Sequence, residues 1–168
     1  MEALTTLSLL VGTVTTGLMA GLFAGFAYAV MPGLGRGDDR TFATAMRQIN
    51  RAILNGRFLT CFMGTPVVLG LAVVLLWTGD DRSALPAAVA GLVLYLVVFA
   101  VTAAVNVPLN ERLDAADAAD AADATADTAA RQRFERPWVR WNTVRAVAST
   151  AALACLAWAL VLHGRGTA

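Results

Sequence analysis

The chain has 168 residues, 58% of them hydrophobic and only 15% charged, a balance that excludes an ordinary soluble domain and fits a membrane protein. All 13 basic residues are arginine, set against 12 acidic ones. The resulting net charge of +1 implies no bulk attraction to nucleic acid, and none is expected as a partner.

Four apolar runs, at about 4–31, 58–77, 84–107 and 143–162, each reach the roughly 20 residues that a spanning helix needs. They predict an all-α fold, an integral membrane four-helix bundle formed by one domain over residues 1–168, with the lipid bilayer as its first partner. The first run is read as a retained span. Ala27-Tyr28-Ala29 resembles a signal-peptidase site, but "MEALTT" has no basic residue and the run exceeds an h-region. Gly17, Gly21 and Gly25 form two overlapping GxxxG steps, which let another helix approach closely. That helix belongs either to the same chain or to a second copy, so a homodimer through these glycines is a candidate.

The first loop carries "DDRTFATAMRQINRAILN". Asp38 and Asp39 suit a helix N-terminus. Phe42, Met46, Ile49 and Ile53 then share one face and Arg40, Arg47 and Arg51 the other. This predicts an amphipathic helix that lies on the membrane or caps the bundle, its arginines at lipid headgroups and Asn50 at the edge of its apolar face. Cys61 and Cys155 lie in separate apolar runs with no metal-ligand spacing, and read as small buried residues.

The third run ends in "VNVPLNERL", where Asn106 and Asn110 flank Pro108. Pro108 removes a backbone donor, and Asn106 can cap a restarted helix. The stretch 114–136 follows. Asp114, Asp117, Asp120 and Asp123 recur among alanines, with Arg131, Arg133 and Arg136 behind them. Alanine favours helix and the charge order suits the helix dipole. The segment predicts a solvated, partly helical connector without an apolar face, dispensable for folding.

Pro137 is allowed at the first position of a helix. If the fourth helix begins there, Trp138, Trp141, Asn142, Arg145 and Ser149 fall in one narrow sector. An arginine inside an apolar run costs about 2.5–3.5 kcal/mol at the bilayer centre. Arg145 is therefore read as facing the bundle or snorkelling to its end.

The loops after the first and third runs each hold five arginines, whereas the intervening loop holds Arg82 alone. The positive-inside rule then predicts a multi-pass protein of the cell membrane with loops 1 and 3 in the cytoplasm and both termini outside. Asn50, Asn55, Arg57, Asn106, Asn110, Trp141, Asn142 and Arg145 all fall at that one end, and the other end is nearly featureless. This asymmetry is the main functional signal in the chain.

Four motifs in this order, "MPGL" at 31–34, "MRQINRAILN" at 46–55, "NVPLNERL" at 106–113 and "WVRWNTVR" at 138–145, resemble the anthrone-oxygenase-like family of small bacterial and fungal membrane proteins. The likeness covers almost the whole chain apart from the Asp-Ala connector. It implies oxidation of an anthrone, a lipophilic aromatic, to an anthraquinone, as fungal members do in polyketide pathways.

The sequence expects no cofactor and no metal for such chemistry. The lone His163 cannot supply a bis-histidine haem site. No His/Cys/carboxylate cluster fits zinc, copper or iron, and no Gly-rich strand-to-helix turn suggests a flavin or nicotinamide. An anthrone permits this, because loss of its benzylic proton gives an electron-rich anion able to reduce dioxygen. Asn106, Asn142 and Arg145 are the candidates for holding the oxyanion. Glu111 is the candidate base, with Tyr28 and Glu135 as alternatives. Trp138 and Trp141 are candidates for stacking on the substrate, and Asn50 and Asn110 for binding it. The rival reading is a bundle that binds or exports a lipophilic molecule without turnover, or an accessory, purely structural one.

Overall fold

The computed structural model describes residues 1–119 and 124–166, and all regular structure among them is helical. Asp120 and Asp123 of the aspartate repeat, and the side chain of Asp117, lie outside the described residues. Four helices are long and apolar enough to cross a membrane: Glu2–Leu34, Gly56–Thr78, Leu85–Ala115 and Asp127–Gly166. The protein is an all-α membrane four-helix bundle. The 33 residues of the first helix and the 40 of the last would reach about 50 and 60 Å, against about 30 Å of hydrocarbon. The excess of the first, third and fourth helices falls at one end, the arginine-rich one.

In chain order the elements are α1 (Glu2–Gly25), a π-helical turn (Phe26–Val30), α2 (Met31–Leu34), α3 (Asp39–Ile53), α4 (Gly56–Thr78), α5 (Leu85–Val101), a second π-helical turn (Thr102–Asn106), α6 (Val107–Ala119) and α7 (Ala124–Gly166). Both π turns end two residues before a proline. Pro32 and Pro108 lack the N–H that an α-helix would bond four residues back. The chain widens just before each, so that Met31 N–H reaches Phe26 O and Val107 N–H reaches Thr102 O, five residues back. Asn106 therefore ends a π turn and caps nothing.

Helix α3 is capped as its sequence predicts. The Asp38 carboxylate accepts Thr41 N–H at 2.8 Å, and that bond holds it below its usual pKa range. Phe42, Ala43 and Met46 are fully buried against the pocket-end core with Leu113, Phe134 and Trp138. The helix thus caps the bundle by lying across α6 and α7. Helix α7 is the central element and also packs along α1 and α5. A side chain at Gly91 of α5 would meet Leu156 of α7 at 2.8 Å, so that approach needs glycine. Gly17 faces Leu153 of the same chain at 3.5 Å, whereas Gly21 and Gly25 face open space.

Three expectations are corrected. The fourth helix does not begin at Pro137 but at Ala124, and it runs through that proline. The stretch 114–136 is not a solvated connector throughout. Phe134 is buried, Arg131 donates to Gly35 O at 2.8 Å and Gly37 O at 2.9 Å, and Thr128 donates to Asp39 at 2.6 Å. Arg47 and Arg51 are not held for lipid headgroups. Arg47 is buried, donating to Leu113 O at 3.0 Å and to Asp127 at 3.2 Å, and Arg51 pairs with Asp114 at 2.6 Å. The helical pattern told which face was polar, but not that α6 and α7 would cover part of it.

Candidate functional site

A cavity of about 200 Å³ opens beneath α3 at the arginine-rich end. Phe23 and Phe26 of the first span, Phe58 at the start of α4 and Trp138 of α7 give it aromatic walls. Asn50 of α3, Asn106 of the second π turn and Arg145 of α7 bring polar groups to it. Asn110, Glu111 and the exposed Arg51–Asp114 pair stand toward its mouth. Its size suits a small, compact molecule; drug-sized sites run to about 300–1,000 Å³.

Arg145 is the centre of the arrangement. It is only 6% exposed. Its guanidinium lies 4.4 Å from the Phe23 ring centroid and 5.4 Å from that of Trp138, so two aromatic faces offset part of the cost of burial. One Nη donates to Asn142 Oδ1 at 2.9 Å, and the other has a long 3.4 Å contact to Thr102 Oγ1. Nε has no partner. Among the described residues no carboxylate lies within ion-pair distance of it.

Asn142 holds that guanidinium from behind. Its Nδ2 donates to Phe23 O at 3.0 Å, and its Oδ1 takes the Arg145 hydrogen bond. The Phe23 carbonyl lies just before the first π turn and also accepts the Phe26 N–H, so the Asn142 bond takes its second lone pair. Trp138 is likewise fixed, its Nε1 donating to Asn110 Oδ1 at 2.8 Å and its ring packed 5.4 Å from Phe26 and 5.9 Å from Phe134.

Asn106 is 1% exposed, and among the described residues neither its Oδ1 nor its Nδ2 has a partner; Asn50 Nδ2 has none either. Each such buried group costs about 1–3 kcal/mol. Four of the five unpartnered buried side-chain atoms among the described residues belong to Asn50, Asn106 and Arg145, which surround this one cavity; the fifth is Thr16 Oγ1.

Of the sequence candidates, Asn50, Asn106, Asn110, Glu111, Trp138 and Arg145 come together around the cavity, and Asn142 stands behind Arg145. Trp141 does not join them. It is half-buried and off the cavity wall, because it lies about 60° round the helix from Trp138. The alternative bases also lie elsewhere: Tyr28 is 82% exposed, and Glu135 is taken by Arg131 at 2.7 Å. Sequence reasoning missed Phe23, Phe26, Phe58 and Thr102. Phe23 and Phe26 lie three residues apart on one helix face near the arginine-rich end of the first span, which is the signal that would have found them. Among the described residues no three His, Cys, Asp or Glu side chains are grouped as metal ligands.

Fold and site together define a class: a membrane four-helix bundle with an aromatic-walled cavity at one end and, within it, a buried cation that has no carboxylate partner among the described residues. A family model described as anthrone oxygenase matches residues 58–155, more than half of the chain, and the chain belongs to that family. The match contains every candidate around the cavity except Asn50 and the residues of the first span. No curated protein and no solved structure matches the chain.

Proposed function

We propose that the chain is a cofactor-independent oxygenase that acts on a lipophilic aromatic of the anthrone type. The observation that carries this reading is Arg145, a buried guanidinium over two aromatic rings with no carboxylate partner among the described residues. In an apolar pocket such a group favours a ligand anion far more than it would in water. Bound beside Arg145 and Asn106, an anthrone would lose its benzylic proton more easily, because the charge moves to the ring oxygen that these residues face. Glu111, which lines the mouth, is the group to take that proton.

The reaction balances without a further reductant. The carbanion gives electrons to dioxygen and forms a C–O bond. The proton returns to the peroxide, and loss of water leaves the second ketone. One dioxygen is consumed per anthrone, with one oxygen atom in the quinone and one in water.

The test uses purified protein in detergent, a simple anthrone and labelled dioxygen. Protein-dependent oxygen uptake with one labelled atom in the quinone, unaffected by a chelator, supports the reading. No acceleration over buffer overturns it. One observation favours a second reading: Glu111 is solvent-exposed rather than deep in the cavity. On that reading the same pocket binds or exports a lipophilic anion without turnover, which would appear as Arg145-dependent binding with no oxygen uptake.

The arginine-rich end is proposed to face the cytoplasm, so that the aromatic ligand would meet its site from that side or from the adjoining lipid. External thiol labelling of Asp80→Cys but not of Arg36→Cys in intact cells is the expected result, and the reverse pattern overturns the orientation.

A further inference from the structure

We infer that the cavity selects aromatic ligands carrying a free hydroxyl group, and that Asn106 is the residue that reads it. The inference rests on the reading of this cavity as an aromatic site and adds what the ligand must present. The unpartnered atoms divide by chemistry. Arg145 Nε, Asn50 Nδ2 and Asn106 Nδ2 can only donate, and Asn106 Oδ1 can only accept. Both ends of the Asn106 carboxamide are unpartnered, so this division holds whichever way round the amide lies.

A ligand with carbonyl or anionic oxygens alone meets the donors and leaves Asn106 Oδ1 unmet in a buried site. A ligand that also brings an O–H supplies partners of both kinds. That hydroxyl cannot be one directly beside the ring ketone, because such a group spends its proton internally on the ketone. It belongs at a ring position away from it.

The local backbone agrees with a recognition role. Asn106 ends the π turn that precedes Pro108, and such a turn re-aims the side chains that follow it. The carboxamide is not consumed in capping or in a bond to a neighbouring helix, as those of Asn55 and Asn142 are. A polar residue kept buried without a partner costs stability, so its removal gives a signature that a structural residue would not.

The test titrates the full chain in detergent with 2-hydroxyanthraquinone, 2-methoxyanthraquinone and anthraquinone, at a pH that keeps the phenol neutral, by quenching of tryptophan fluorescence. The wild type is expected to bind the hydroxy compound about tenfold or more tightly than either of the others. Asn106→Leu should bring the three together, whereas Arg145→Lys should weaken all three alike. Without ligand, Asn106→Leu should raise the Tm, since it replaces an unmet amide by a side chain of similar size. A fall in Tm, or a hydroxyl preference that survives in Asn106→Leu, overturns the inference. Should that variant fail to fold, the wild-type ratio decides. Tight binding of all three with a ratio near one overturns the hydroxyl selection and leaves the aromatic reading standing. Binding of none overturns both.

Discussion

The two ends of the bundle bury polar side chains in opposite ways. At the end near the termini, Thr5 donates to Met1 O, Ser8 to Leu4 O, and His163 Nε2 meets Thr6 Oγ1 at 3.0 Å. Each of these groups is satisfied within the chain. At the arginine-rich end, Asn50, Asn106 and Arg145 keep unpartnered atoms around one cavity. Satisfied groups hold a structure together. Unsatisfied ones cost stability, and their gathering at one place points to a ligand that completes them.

The largest effect that would break or sharpen this contrast is at Arg145. Arg145→Ala should reduce anthrone-dependent oxygen uptake by about 100-fold or more, the scale of losing a main oxyanion donor. Arg145→Lys keeps the charge but not the planar fork that reaches Asn142 and the cavity together, and should fall nearly as far. Both proteins should still insert, which size-exclusion chromatography in detergent would check.

A smaller effect is expected at the clamp over the cavity. Arg47→Ala removes the donor to Leu113 O and the partner of Asp127, joining α3 to both α6 and α7. It should lower stability by about 1–3 kcal/mol, read as a lower Tm. His163→Ala should leave oxygen uptake unchanged and cost about 1 kcal/mol for the lost contact with Thr6.

The smallest effect concerns pH. Thr41 holds the Asp38 carboxylate below its ordinary pKa. The cap of α3 is therefore complete above about pH 4, the unfolded value, and is lost as pH falls through the lowered one. Hydrogen exchange in α3 should quicken in acid, and Asp38→Asn should remove that dependence.

Much of the fold was legible in the residues. The four apolar runs gave the spans, because a helix bonds its own backbone groups in lipid and about 20 apolar residues carry it across the hydrocarbon. Asp38 and the spacing of Phe42, Met46 and Ile49 gave α3 and its buried face. What the sequence hid was long-range. Arg47 sits among solvent-type arginines in the pattern, yet its partners are 66 and 80 residues away. The aspartate-alanine stretch reads as a connector because its composition is polar, although Phe134 and Arg131 tie its far part to α2 and α3.

The site was legible to the same extent and for the same reason. Helical spacing placed Trp138 and Arg145 on one face correctly, since both depend only on the phase of α7. It also included Trp141, which lies off the cavity wall, because a sector drawn on one helix says nothing about which part of it a neighbour leaves open. Asn106 stood out beside Pro108, but its want of any partner is a property of the folded bundle alone.

The most direct measurement compares the two ends in one assay. Anthrone-dependent oxygen uptake is recorded for wild type, Arg145→Lys and His163→Ala, at equal amounts of folded protein in detergent. The account predicts uptake by wild type and His163→Ala alike and a large loss in Arg145→Lys. Equal rates for Arg145→Lys and wild type would contradict it.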